Sequence, residues 1–169
     1  MPSYINIREE PMSFFNNIVR ECVALMLFLR HAVFMLAALG VFRILIGAIG
    51  VPETVGTWIS SGTLLAMTLT VYYAHSAPSN GFNKYWQFVF IGFFISVVQS
   101  LVVIAGIGIT TNLGIASYFG SERVSVNRHI MGHLGSAIGG NMTIPLVILA
   151  GFGFAIGQLR KRSSSNGSA

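Results

Sequence analysis

The stretch Tyr85–Ile109 reads YWQFVFIGFFISVVQSLVVIAGIGI and contains no charged residue. A helix needs about 20 consecutive apolar residues to cross the hydrocarbon core of a bilayer, and this run is long enough. The aromatic pair Tyr85-Trp86 at its start is typical of residues that lie at a membrane interface. The stretch therefore predicts a transmembrane helix, which we place at residues 86–109.

The whole chain has the composition of a membrane protein. Of its 169 residues, 53% are hydrophobic and 9% are charged, and the mean hydropathy is +0.71. Soluble domains carry about a quarter charged residues, so this composition excludes an ordinary water-exposed surface. It equally excludes a disordered chain, which needs low hydrophobicity. The single cysteine, Cys22, excludes an intramolecular disulfide and a cysteine-rich metal cluster.

Hydrophobic patterning predicts three further spans and one amphipathic helix. Pro52 and Glu53 favour a helix start, because proline fits the first turn and a carboxylate suits the positive helix end. We therefore predict an all-α, polytopic membrane protein, a single helical bundle over residues 1–169 with four transmembrane helices preceded by an amphipathic interfacial helix. The predicted elements are the interfacial helix at 12–29, spans at 31–50, 53–73, 86–109 and 129–157, and a flexible tail at 163–169.

The basic residues predict the orientation of the bundle. With four spans both termini share one side, and that side carries most of the basic residues, whereas the other side carries only Arg123 and Arg128. Both termini are therefore expected in the cytoplasm, in a multi-pass protein of a bacterial inner membrane. The net charge of +5 is expected to meet anionic lipid head groups and not nucleic acid. The residues on the cytoplasmic side are Arg8, Arg20, Arg30, Lys84, Arg160, Lys161 and Arg162.

Polar residues of different predicted spans form a candidate binding pocket in the outer half of the bundle. Arg43 is the only full charge well inside a predicted span, at a cost of about 2.5 to 3.5 kcal/mol on insertion scales. It either contacts an anion, a carbonyl or a quinone oxygen, or it extends outward or bonds helix carbonyls, and the sequence leaves both alternatives open. The predicted pocket consists of Arg43, Ser61, Gln99, His129, His133 and Asn141.

Four histidines raise the question of a metal or haem. His129 and His133 have the helical spacing at which two imidazoles can share a metal ion, but a third ligand is needed, with Glu122 the nearest acidic candidate. We favour two interfacial histidines that bond water or lipid. His31 and His75, at the same predicted side, could clamp a haem between two helices, although both also suit an interface. No cofactor is favoured.

Pro145 is expected to interrupt the fourth span. It cannot donate a hydrogen bond to the carbonyl of Asn141, four residues earlier. Broken helices of this kind form ion or substrate sites in transporters, although most such prolines only kink a span. Pro145 could therefore mark an ion or substrate site or only a kink in the span, and we favour the kink.

The sequence permits three functions. We rank first a non-catalytic accessory or structural subunit, packed with other membrane proteins or as a homo-oligomer in the bilayer, because the spans are rich in glycine and little mass lies outside them. The second is a small permease or channel with an outward-facing polar pocket around Arg43, and the third is a metal- or haem-binding redox protein. An enzyme is not favoured, because the spans offer no buried Asp or Glu as a base and no nucleophile elbow.

Overall fold

The computed structural model describes residues 10–52, 54–56, 61–115 and 125–166, and at 10–14, 129, 137–139, 165 and 166 it describes the backbone alone. All elements in these ranges are helical, as predicted. They are α1 (Glu10–Phe28), α2 (Arg30–Ala48), α3 (Gly62–Ser76), a 3-10 turn (Ala77–Asn80), α4 (Tyr85–Leu113), α5 (Val126–Gly139) and α6 (Thr143–Asn166).

Three of the described helices are long and apolar enough to cross a membrane: α2, α4 and the segment Thr143–Ser164 of α6. Four spans remain a prediction. The stretch predicted at 53–73 is interrupted, because residues 54–56 are helical and a separate helix, α3, begins at Gly62. Ser61 is extended, and the Leu64 N–H donates to the Ser61 Oγ at 3.4 Å, so that Ser61 caps the helix start. Residues 53 and 57–60 lie outside the described ranges.

The end of α1 belongs to the bundle. Leu25 and Leu29 are fully buried, and the ring of Phe28 lies 5.2 Å from that of Tyr73 on α3. Glu21 forms an ion pair with Lys84, at the start of α4. The interfacial position of the rest of α1 stays a prediction.

Helix α4 is the central element, and α6 runs antiparallel to it. The hydroxyl groups of Ser96 and Thr143 are 2.9 Å apart, while the rings of Tyr85 and Phe154 are 6.3 Å apart. The start of α6 therefore lies beside the middle of α4, and the second half of α6 extends past the first residue of α4. Helix α5 covers the other half of α4, where Ile130 packs against Val103 and Ile107.

Helix α3 runs parallel to α6 at very close range. A Cβ atom added at Gly153 would lie 2.8 Å from the carbonyl oxygen of Val71, and one added at Gly157 would lie 2.2 Å from that of His75. Such distances are possible only between helices that present glycine to the neighbouring backbone. The glycines of α6 therefore determine how α3 packs.

The span predicted at 129–157 consists of two helices. Helix α5 ends at Gly139 because Gly140 has a φ of +99°, in the left-handed region that terminates helices. Pro145 lies in the first turn of α6, where its missing N–H needs no helical acceptor. The interruption therefore lies at residues 140–142, directly before Pro145, since Gly140 ends one helix and the proline lies in the first turn of the next.

The predicted flexible tail at 163–169 is wrong over its first part. Helix α6 continues to Asn166, and the Ser164 hydroxyl donates to the carbonyl oxygen of Lys161 at 2.8 Å. This side-chain bond to the preceding turn lets serine stay in the helix. Residues 167–169 lie outside the described ranges.

Candidate functional site

Two helices begin beside the middle of α4. Gly62, the first residue of α3, packs so closely on Gln99 that an added Cβ would lie 2.6 Å from the Gln99 Nε2. Thr143, the first residue of α6, hydrogen-bonds to Ser96. Ser96 and Gln99 are about one turn apart on α4. Two helix N-termini, each with a partial positive charge, therefore meet at neighbouring turns of one central helix.

A cavity of about 10 Å³ lies between α2, α3 and α4 at this point. Arg43, Gln99 and Gly62 provide its polar and backbone lining. We call it the mid-bundle cavity. A volume of about 10 to 15 Å³ on this measure holds one water molecule. The rest of the lining is apolar and comprises Leu36, Leu39, Gly40, Val102 and Val103.

Gln99 is buried without full satisfaction of its amide. Its side chain is 6% exposed, and its Oε1 finds no hydrogen-bond partner among the residues that the structure describes. A buried acceptor without a donor costs about 1 to 3 kcal/mol. Native proteins satisfy such groups with protein, water or ligand. The Gln99 carbonyl therefore needs a hydrogen-bond donor such as a water molecule, whereas the Nε2 of the same amide is the group that can donate to an anion.

Arg43 reaches the mid-bundle cavity because helical side chains lean toward the N-terminus of their own helix. Its Nε atom is buried. The residue as a whole is half-buried, and both alternatives that the sequence leaves open for Arg43 stay predictions. The cavity lies beside the middle of α4, whereas the predicted pocket was expected in the outer half.

The other predicted site residues whose side chains are described do not line the mid-bundle cavity. Ser61 is half-buried and caps α3 directly before Gly62. Asn141 is exposed at the break between α5 and α6, and His133 is half-buried on α5. Neither is among the residues that line the mid-bundle cavity. The side chain of His129 lies outside the described part of the chain.

Two contributors to the site are absent from the predicted pocket. Gly62 is one of them. The sequence could have indicated it, because Ser61-Gly62 before an apolar run is typical of the start of a helix. The Ser96–Thr143 pair is the other. It joins two helices, and such a contact cannot be read from the spacing within either one.

The described side chains contain no group of three or more His, Cys, Asp or Glu that could hold a metal ion. The hypothesis of a metal at His129 and His133 stays untested. His31 is exposed and accepts a hydrogen bond from the Arg30 Nε at 3.3 Å, while His75 lines a polar pocket with Arg160 and Lys161. Among the described residues, His31 and His75 therefore lie beside different groups.

The chain was compared with known proteins. No protein-family model, no curated protein and no solved structure matches it. The function therefore has to be inferred from the geometry of the mid-bundle cavity.

Proposed function

We propose that this chain is a small membrane permease for a small anion. The supporting observation is that α3 begins at Gly62 against the buried Gln99, in the cavity that Arg43 also lines, and that α6 begins at Thr143 about one turn away along α4. In secondary transporters, interrupted helices commonly direct their N-termini at an anionic group of the substrate.

The charges around the mid-bundle cavity favour an anion over a cation. Helices α2 to α6 contain no Asp or Glu, so their side chains offer no carboxylate that could coordinate a metal cation. Each helix N-terminus adds roughly half an elementary positive charge. An anion would neutralise this positive region. The same lack of carboxylates disfavours a proton-coupled exchanger.

The mid-bundle cavity is too small for the substrate, so in this proposal the structure corresponds to a closed conformation of the permease. A volume of about 10 Å³ accommodates one water and no polyatomic anion. Entry of the substrate therefore requires helices to move. The break between α5 and α6 is a suitable hinge, because the left-handed Gly140 ends α5 and the Met142 N–H that reaches across it to the Ser136 carbonyl does so at 3.4 Å, which is long for a hydrogen bond. Rigid movement of one segment around a fixed site is how many transporters alternate access.

An accessory subunit is the function that the sequence ranks first, and apolar surfaces are its support. Large apolar side chains are exposed on α1 and α2, such as Phe15 at 66% and Phe34 at 72%. A bilayer covers such surfaces as well as a partner protein does. An accessory role also gives no reason for a guanidinium and a buried amide to line one cavity inside the bundle. We therefore favour the permease and retain cytoplasmic termini as part of the proposal.

The proposal is tested by anion flux into proteoliposomes, with chloride, nitrate, formate and acetate as probes and potassium as the cation comparison. At least one anion should enter faster than into protein-free liposomes. Gln99→Leu should lower that flux about two- to tenfold, which corresponds to the loss of a neutral hydrogen bond of about 0.5 to 1.5 kcal/mol. The same substitution should raise or preserve thermal stability, because it removes a buried unsatisfied acceptor.

Ser100→Ala is the matched control for Gln99→Leu. Ser100 is 2% exposed, and its Oγ also finds no partner among the described residues, but it does not line the mid-bundle cavity. The alanine variant should therefore keep its flux. No anion flux in the wild-type protein, or equal flux in the Gln99→Leu variant, would contradict the proposal.

Gly140→Ala tests the hinge. We expect a loss of about 1 to 2 kcal/mol in stability, because an alanine at a φ of +99° is strained, and a Cβ there would lie 2.9 Å from the Ile144 Cδ1. Gly81→Ala is the control, since Gly81 has a φ of +90° but open space around it. Both variants should melt at lower temperature, and only Gly140→Ala should alter anion flux. Equal flux in the two variants would exclude Gly140 as a hinge.

A further inference from the structure

A separate groove of about 640 Å³ lies between the first turns of α4 and the second half of α6. We call it the α4–α6 groove. This volume is within the range of about 300 to 1,000 Å³ that is typical of ligand clefts. Apolar side chains, including Tyr85, Phe88, Phe154 and Leu159, line most of it, and Arg162 lies among the lining residues at the far end of α6.

The apolar part of the groove exists because Gly151 lacks a side chain. A Cβ atom added at Gly151 would lie 3.5 Å from the Phe88 ring, which is an ordinary contact distance. The rings of Phe88 and Phe154 are 5.6 Å apart and form one continuous wall. Tyr85 is 80% exposed at the edge of this wall. An apolar chain can therefore lie along α6 over Gly151.

The polar end of the groove is held in position by Lys161. Its Nζ donates to the carbonyl oxygen of Pro78 and to the Asn83 Oδ1, both at 3.1 Å. These bonds fix the end of α6 against the turn before α4. Arg162, the next residue, lines the groove, whereas Arg160 lines a separate polar pocket beside His75. The groove thus combines an apolar wall with a positioned cation.

We propose that the α4–α6 groove binds one anionic phospholipid, with an acyl chain over Gly151 and the phosphate at Arg162. The charges of the protein and of this lipid are complementary. The cluster Arg160–Arg162 gives this end of the bundle a strong positive charge, and basic pockets between membrane helices bind anionic lipid head groups. A zwitterionic lipid also carries an ammonium group that this cluster repels. The inference is independent of the permease.

The test uses the full chain in mild detergent and a titration with phosphatidylglycerol or with phosphatidylcholine of the same acyl chains, read by native mass spectrometry. Phosphatidylglycerol should bind and phosphatidylcholine should not. Arg162→Gln should weaken binding about fivefold, since one basic residue contributes about 1 kcal/mol to such binding. Arg160→Gln, with the same loss of charge on the same helix, should weaken it less than about twofold.

Gly151→Leu tests the acyl chain. Leucine fills the groove, and its Cβ meets Phe88 at an ordinary distance, so the variant should fold and lose phosphatidylglycerol binding. Glycerol phosphate, which has the head group without the chains, should not compete. Equal losses in Arg160→Gln and Arg162→Gln, equal binding of phosphatidylcholine, or competition by glycerol phosphate would overturn the proposal. If Gly151→Leu fails to fold, the comparison of the two arginine variants still decides.

Discussion

Gly157→Val should prevent the bundle from assembling, and Gly157→Ala should cost about 3 kcal/mol or more. A Cβ atom at Gly157 would lie 2.2 Å from the carbonyl oxygen of His75, and this atom belongs to the backbone, which cannot rotate away. Overpacking of a tight contact typically costs about 1 to 3 kcal/mol, and a backbone clash lies at the upper end. The measurement is the yield of monodisperse protein and its melting temperature in detergent.

Gly108→Ala is the matched control for the glycine prediction. Gly108 is also a helical glycine, on α4, and no atom lies within 4 Å of an added Cβ. Alanine is the better helix former by about 1 kcal/mol, so this variant should melt at the same or a higher temperature. If Gly157→Ala melts like Gly108→Ala, the close packing of α3 on α6 is wrong.

Glycine spacing alone could not predict this difference. Gly135-x-x-x-Gly139 and Gly153-x-x-x-Gly157 look equivalent in the sequence, and both are typical of close helix approach. In the structure Gly153 and Gly157 face the backbone of α3, whereas an added Cβ at Gly135 meets nothing within 4 Å. Whether a small residue faces a neighbour depends on tertiary packing, which the motif does not encode.

The long apolar helices were predictable because their signal is additive over many residues. The predicted spans at 31–50 and 86–109 lie close to α2 and α4. The helix start at Gly62 was not predicted and the break before Thr143 was expected at Pro145, because hydropathy continues across both positions. Single residues decide these breaks, namely the cap at Ser61 and the left-handed Gly140. Windows that average over a span cannot resolve them.

Part of the site was predictable for a different reason. A charge within an apolar span is costly, so Arg43 and the polar Gln99 stand out against their neighbours and were expected to meet. The structure brings both to the mid-bundle cavity. Gly62 has no polar side chain, so polarity alone did not indicate it. Asn141 is polar and was included, although it does not line the mid-bundle cavity. A polar residue within an apolar span can be read from the sequence, whereas the neighbours that it contacts on other helices depend on tertiary packing.

Arg43→Gln should reduce anion flux about ten- to hundredfold, the largest functional effect that we expect. Arg43 supplies the full positive charge of the mid-bundle cavity, and hydrogen bonds to a charged group contribute about 1.5 to 3 kcal/mol. Arg43→Lys keeps the charge but loses the guanidinium geometry, so it should retain more flux than glutamine does. The measurement is initial flux of the best anion into proteoliposomes, at equal protein incorporation.

Arg30→Gln separates this role from a general effect of positive charge. Arg30 is an exposed arginine at the first residue of α2, on the same helix and with the same charge change. Its loss should leave anion flux within about twofold, because exposed charges are screened by solvent and salt. A structural role for Arg43 predicts a fall in melting temperature with unchanged flux per folded protein. Reduced flux at an unchanged melting temperature assigns the residue to the path of the anion.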